Sequence, residues 1–220
     1  MTKEEARFLK DILDAMTDIP FFNKEDIIAE LTKGIPEKES EWVELGTLED
    51  GDKFQWNGYT HTVLDKNYTE DGAFILTDEI ITTMKFNNEE CEEQNNWAKS
   101  SLRDYLNTTF LSCLWDADKM VPFERDLTSD DGLKDYGTCT DKISLLTCDE
   151  YRKYRKFIDN KNDCWWTITP YSTPTSGNSY YTRSVYTDGS LRYGTAFIGY
   201  FGVSPAYVLL SSKMVRRVSK

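Results

Sequence analysis

Histidine is almost missing from this chain: His61 is the only one among 220 residues. A Ser-His-Asp or Cys-His centre would have to be built on it. It falls in a strand-like stretch beside a turn, with no Asp at a suggestive spacing, so it reads as a structural or surface side chain. The same scarcity excludes a His-rich zinc site. The five cysteines, Cys91, Cys113, Cys139, Cys148 and Cys164, form no CxxC pair and no zinc-like spacing. Their odd number fits free thiols in a reducing compartment. No apolar run approaches the ~20 residues that span a bilayer, so no membrane partner is expected. Positive charge is in deficit, with 26 Lys and Arg against 38 Asp and Glu and a formal net charge of -12. That balance repels phosphate backbones, so no nucleic-acid partner is expected either. The one compact basic group, Lys213, Arg216, Arg217 and Lys220, reads as a solvated tail.

Aromatic residues are plentiful: 13 Tyr, 11 Phe and 6 Trp. They bury large areas and are favoured at recognition surfaces. A chain of this length buries roughly 70% of its unfolded surface, so its core needs no staples. The N-terminus, MTKEEARFLKD, is charged and helix-forming and does not read as a signal peptide. Ala6, Leu9, Ile12, Leu13 and Met16 recur at three- and four-residue spacing, which predicts an amphipathic helix over residues 3–17. A second helix is expected after Asn23, with Ile27, Ile28 and Leu31 on its apolar face and Gly34 at its end. Two short helices cannot bury their stripes alone. Residues 1–40 are therefore expected to be an assembly or docking segment, joining copies of the chain or tethering it to a particle. Residues 41–220 are expected to form the main domain.

Within that domain, Lys53–Trp56 and Tyr59–Leu64 flank Asn57-Gly58, a strong hairpin signal. Gly72–Thr77 (GAFILT) predicts a buried strand. Residues 97–111 predict a helix with Leu102, Leu106 and Phe110 on one face and Asn95 or Asn96 as cap. Residues 126–141 read as loop, Ile143–Leu146 as a short strand and Cys148–Phe157 as a charged helix. A loop over 171–179 precedes short strands at Tyr180–Tyr186, Leu191–Tyr193, Phe201–Val203 and Ala206–Leu210, with a turn at Asp188-Gly189. Pairing the strand near Phe54–Leu64 with the C-terminal strand would bring the domain's ends together.

These segments, in this order, carry a resemblance. FQWNGYTHTVLD (54–65), GAFILTDEIITTMKFN (72–87), NNWAKSSLRDYLNTTFL (95–111), DKISLLTCDEY (141–151), WWTITP (165–170), VYTDGSL (185–191) and GVSPAYVLL (202–210) resemble a family known only as a domain of unknown function, common in Gram-positive gut bacteria and their phages. That family is related to C-type-lectin-like and formylglycine-generating-enzyme-like domains. The resemblance implies an α+β fold: a C-type-lectin-like domain with a small twisted antiparallel sheet, flanking helices and long loops. Two positions depart from the family's pattern. Ile168 or its neighbours, and Ser204, stand where the family usually carries Arg.

Four readings bear on function. Asp126, Asp130, Asp131 and Asp135 could together hold Ca2+ or could simply cap turns; no cofactor is otherwise expected. Arg103 and Asn107, one helical turn apart, read as anchors for loops. Trp165 and Trp166 should point to opposite sides of a strand, one into the core and one outward as a surface platform. The segment from Tyr171 to Tyr200 mixes Tyr, Ser, Thr, Asn and Gly in the proportions of antibody loops. Its candidate binding residues are Tyr171, Asn178, Tyr180, Tyr181, Arg183, Tyr186, Tyr193 and Tyr200. Alternation along short strands should expose several of these tyrosines together. The expected function is non-catalytic recognition of a protein or glycan ligand. The alternatives are an intracellular scaffold and an enzyme of the formylglycine-generating type, for which Cys148 and Cys164 fit no catalytic motif. The expected location is the cytoplasm, or a virion if the chain is phage-encoded.

Overall fold

The computed structural model describes residues 41–88 and 91–218. The two helices expected before residue 40 lie outside the described residues. The unit that begins at Trp42 is built mainly of antiparallel strands, with two short α-helices among the described residues. It is an α+β fold, as the segment pattern predicts.

Strand β1 (Trp42–Glu44) leads to the hairpin β2 (Lys53–Trp56) and β3 (Tyr59–Thr69). Asn57 and Gly58 connect them with φ of 50° and 79°. Positive φ at both turn positions matches the right-handed strand twist, which is why Asn-Gly works here. β4 (Gly72–Thr77) follows, then the short β5 (Thr82–Thr83) and helix α1 (Ser101–Tyr105). Next come β6 (Met120–Val121), β7 (Phe123–Asp126), β8 (Thr138–Asp141), β9 (Ile143–Ser144) and helix α2 (Cys148–Tyr154). The C-terminal part holds β10 (Trp165–Pro170), β11 (Tyr181–Val185), β12 (Leu191–Thr195), β13 (Gly202–Val203), β14 (Ala206–Leu210) and β15 (Met214–Arg217).

The larger sheet runs β1-β15-β2-β3-β4-β14-β6, with β9 also on β14. The second runs β12-β11-β10-β13-β5, and β7 pairs with β8 alone. Strands β4, β10 and β14 are buried along nearly their whole length because the chain covers both of their faces. Alternate residues enter two apolar clusters. Ala73, Ile75, Trp166, Ile168, Tyr207 and Leu209 join Trp97, Leu102, Leu106 and Phe110 in one. Phe74, Leu76, Trp165 and Val208 join Tyr151 and Tyr154 of α2 in the other. A strand covered on both faces reads as a continuous apolar run, as GAFILT does.

Four expectations are corrected. Lys213, Arg216 and Arg217 are not part of a solvated tail, and Lys220 lies outside the described residues. β15 lies inside the large sheet between β1 and β2, pairing Val43 with Val215 and Gln55 with Arg216. Val215 is buried, Lys213 pairs with Asp116, and Arg217 reaches Asp52 at 3.3 Å. The last strand expected, Ala206–Leu210, pairs with β4, β6 and β9 and not with the early hairpin, and it is β15 that brings the ends of the domain together. The helix expected over 97–111 is broken. Trp97–Lys99 is a single tight turn whose first residue follows Asn96, and the Asn96 side chain accepts from the Ala98 amide. Ser100 is extended and caps α1 through its hydroxyl, which accepts from the Arg103 amide. The chain then widens into a π-type turn over Leu106–Phe110. Finally, the stretch 126–141 is not all loop, because its ends close the β7·β8 hairpin.

Candidate functional site

Strands β10, β11 and β12 carry the site. Their register puts Trp165 opposite Val185 and Val185 opposite Leu191. These residues face α2, where the Tyr151 ring meets Trp165 edge-on at 5.7 Å. Farther along the same face of β11 and β12 stand Tyr181, Arg183, Tyr193 and Thr195, with Arg183 directly opposite Tyr193. Here no helix among the described residues covers the sheet. Tyr193 is 51% exposed, and Tyr171 and Tyr181 are half-buried.

Three tyrosine rings meet at this place. Centroids are 5.0 Å apart for Tyr171 and Tyr193, 5.2 Å for Tyr181 and Tyr193, and 6.3 Å for Tyr171 and Tyr181. The Arg183 guanidinium lies 5.0 Å from the Tyr171 ring centre, within cation–π range. Asp130 grips Arg183 from the other side, with Nε–Oδ2 at 3.0 Å. It also receives Arg152 of the helix end at 3.3 Å.

The acidic loop serves as a frame for this cluster. Asp130 donates its amide to the Pro170 carbonyl. Asp131 accepts from the Ser129 and Ser172 hydroxyls, each at 2.5 Å, and those bonds hold its carboxyl below the usual range. Asp135 accepts from the Thr173 hydroxyl at 2.6 Å, and its carboxyl is likewise lowered by Thr173 and Thr175. Asp126 turns back onto the Thr128 hydroxyl and amide. The four carboxylates, read as a possible cation site or as turn caps, thus each have their own partners. Among the described residues, no group of three His, Cys, Asp or Glu side chains could hold a metal ion.

One positioning residue escaped the sequence reading. Asn95 is fully buried. Its amide donates to the Ser172 carbonyl at 2.9 Å and the Tyr181 carbonyl at 2.7 Å, and its oxygen accepts from Tyr136 at 2.7 Å. It therefore pins the loop before β11 to the first residue of that strand. No local pattern distinguishes it from a helix cap, which is how its spacing reads.

The candidate tyrosines do not all gather. Tyr180 is 49% exposed but belongs to the opposite side of β11 from Tyr181. Tyr200, at 65%, stacks on Phe201, which stacks in turn on Trp166. Tyr186 is half-buried at the hairpin turn under Arg192, whose guanidinium is 4.3 Å from its ring centre. Asn178 is half-buried in the loop before β11. The cluster proper is therefore Tyr171, Tyr181, Arg183 and Tyr193.

The other readings resolve structurally. Arg103 donates to Asp141 at 2.6 Å and to the carbonyls of Ala98 and Thr140. Asn107 donates to the Ile143 carbonyl at 2.8 Å and accepts from the amides of Lys142 and Ile143 at 3.1 Å. Both anchor loops. Trp165 and Trp166 do point to opposite sides, but neither is a platform. Each is buried in a different apolar cluster, because β10 is covered on both faces. His61 is sealed in the core, stacked on Phe54 at 5.1 Å with its Nε2 against the Tyr207 hydroxyl. Burial lowers its pKa to about 3, so its ring is neutral. Cys148 is buried and Cys164 half-buried, and all five cysteines are free thiols. Burial pushes the Cys148 thiol up, away from the reactive thiolate. At the departures from the family's arginines, Ile168 is core, and Ser204 donates to the Thr77 carbonyl at 2.7 Å.

Fold and site thus define a sheet-rich α+β domain that displays a framed aromatic cluster. Residues 71–211, more than half of the chain, match the family described as "Domain of unknown function (DUF6273)". The chain belongs to that family. No curated protein and no solved structure matches it.

Proposed function

We propose that this domain is a non-catalytic recognition module that binds a protein or glycan surface through its C-terminal half. One observation carries the reading: Tyr171, Tyr181 and Tyr193 meet over Arg183 on a stretch of sheet that no element among the described residues covers. Rings held by neighbouring rings lose little freedom on binding, and they offer apolar faces with hydroxyl rims. The Asp130 clamp and the Asn95 pin preorganise the cluster, which lowers the ordering cost of association. The sealed, neutral His61 gives no general base that a substrate could reach, which argues against acid–base turnover at that residue.

The reading extends to a C-type-lectin-like fold, supported by the pairing of β2 with β15 and by the long loop 127–137. It extends also to a phage-borne setting, with residues 1–40 as tether to a particle or to further copies. Both extensions rest on the family resemblance.

The test compares the intact chain with Tyr181→Ala/Tyr193→Ala on a printed glycan array and on a displayed library of random peptides. The expected result is a set of ligands held by the intact chain and lost by the double variant. The double variant should melt within a few degrees of the parent, since partly exposed side chains each contribute on the order of 1 kcal/mol. Ligands bound equally by both proteins, or none bound by the intact chain, would overturn the assignment.

A further inference from the structure

The aromatic cluster sits beside an open strand edge. Among the described residues, β12 ends its sheet and pairs only with β11. The bonds Tyr186 N–H to Ser190 O and Ala196 N–H to Tyr180 O fix which residues face β11. By the alternation of an antiparallel ladder, Ser190, Arg192, Gly194 and Ala196 turn their backbone groups inward. Leu191, Tyr193 and Thr195 turn theirs outward. Of these outward groups only the Thr195 carbonyl finds a partner among the described residues, the Ile198 amide.

Native proteins blunt such edges by keeping them very short, by bulges, or by proline and lysine. β12 has five residues, no register shift against β11, and neither proline nor lysine. Its one charge, Arg192, leans over the Tyr186 ring. The other strands with a free side among the described residues are shorter: three residues in β1, four in β7 and β8, two in β5, β6 and β9. The edge is also stiff underneath. A Cβ on Gly194 would stand 2.6 Å from the Phe201 ring, so β12 packs tightly on the layer below.

Resting on the recognition reading above, we propose that the ligand is an extended polypeptide segment that adds to β12 as a further strand of the sheet. Alternating outward N–H and C=O groups at strand spacing are matched by another backbone, and a pyranose ring does not reproduce that spacing. A partner residue opposite Tyr193 would lay its side chain on the tyrosine cluster. One of its neighbours would face Arg192, which is more than half exposed and lies 3.6 Å from Asp188. The chain's own net charge of -12 opposes a second copy as the occupant.

Thr195→Pro tests this without touching the tyrosines. It removes an outward donor that the β11·β12 ladder does not use, where proline is tolerated on an edge. Thr195→Val keeps the donor and changes only the side chain. Random peptides about ten residues long, enough for one strand, are selected on the full-length chain. The expected binders lose about tenfold or more in affinity to Thr195→Pro and keep it for Thr195→Val. The amides of Leu191, Tyr193 and Thr195 should slow in hydrogen exchange when a binder is present. Peptides indifferent to Thr195→Pro, or no peptide enriched at all, would overturn strand addition. Self-association that Thr195→Pro abolishes would instead make a second copy of the chain the occupant and overturn the separate polypeptide ligand. A glycan that needs Tyr181 and Tyr193 but ignores Thr195→Pro would sink this inference and leave the recognition reading standing.

Discussion

His61 is the residue with the sharpest pH consequence. Its ring is neutral in the fold because burial lowers its pKa from 6.5 to about 3. An unfolded chain takes up a proton there below about pH 6.5, and the folded chain does not until about pH 3. Between those limits the unfolded state binds more protons, so stability falls as pH falls, by up to about 1.4 kcal/mol per pH unit from this group. His61→Gln, which keeps a polar partner for Tyr207, should flatten that part of the profile. Denaturant midpoints at pH 7 and pH 4 check it, and an unchanged slope in the variant would assign the acid sensitivity elsewhere. A strand-like surrounding predicts a structural or surface histidine. That it is sealed follows from Tyr207, 146 residues away, arriving on the far side.

At the scale of elements, α2 shows how a local signal and a distant one combine. Thr147 and Glu150 form a capping box, each side chain bonding the other's backbone amide. Glu150 also receives the buried Arg125 through two parallel bonds of 2.7 and 2.6 Å. Arg125 completes its donors on Ser144 and the Leu145 carbonyl. Removing one member of a buried pair strands the other. Glu150→Ala is therefore expected to cost about 3–5 kcal/mol, well beyond the ~1 kcal/mol of a lost cap. Thr147→Ala, which removes only the cap, should cost about 1 kcal/mol. Equal losses from the two in chemical denaturation would refute the buried-pair account. The helix itself is legible in CDEYRKY. The role of Glu150 as the counterion of a residue in β7 is not, since both residues look like ordinary surface charges.

For the molecule as a whole, the unit from Trp42 onward contains two apolar clusters, and its last strand pairs with its first. A chain starting at residue 41 is therefore expected to fold and to melt in one cooperative transition, as a monomer by light scattering. A broad or absent transition would show that the domain needs residues 1–40. The sequence by itself determined the elements whose signals are local. The Asn-Gly hairpin, the apolar strands β4 and β14, the α2 helix and the turn at Asp188-Gly189 depend on φ preferences and side-chain periods within a few residues. It also determined that the tyrosine-rich segment is built of strands joined by turns. Only the tertiary structure decided which faces are covered. Trp165 and Trp166 are both internal because β10 has layers on each side. Met214–Arg217 is an inner strand although it carries one buried apolar residue, because β1 and β2 supply its backbone partners. Tyr171, Tyr181 and Tyr193 meet while Tyr180, Tyr186 and Tyr200 stand apart, because strand register and a loop pinned by Asn95 set their sides. Burial and pairing across more than forty residues are properties of the assembled sheet, and no short window of sequence contains them.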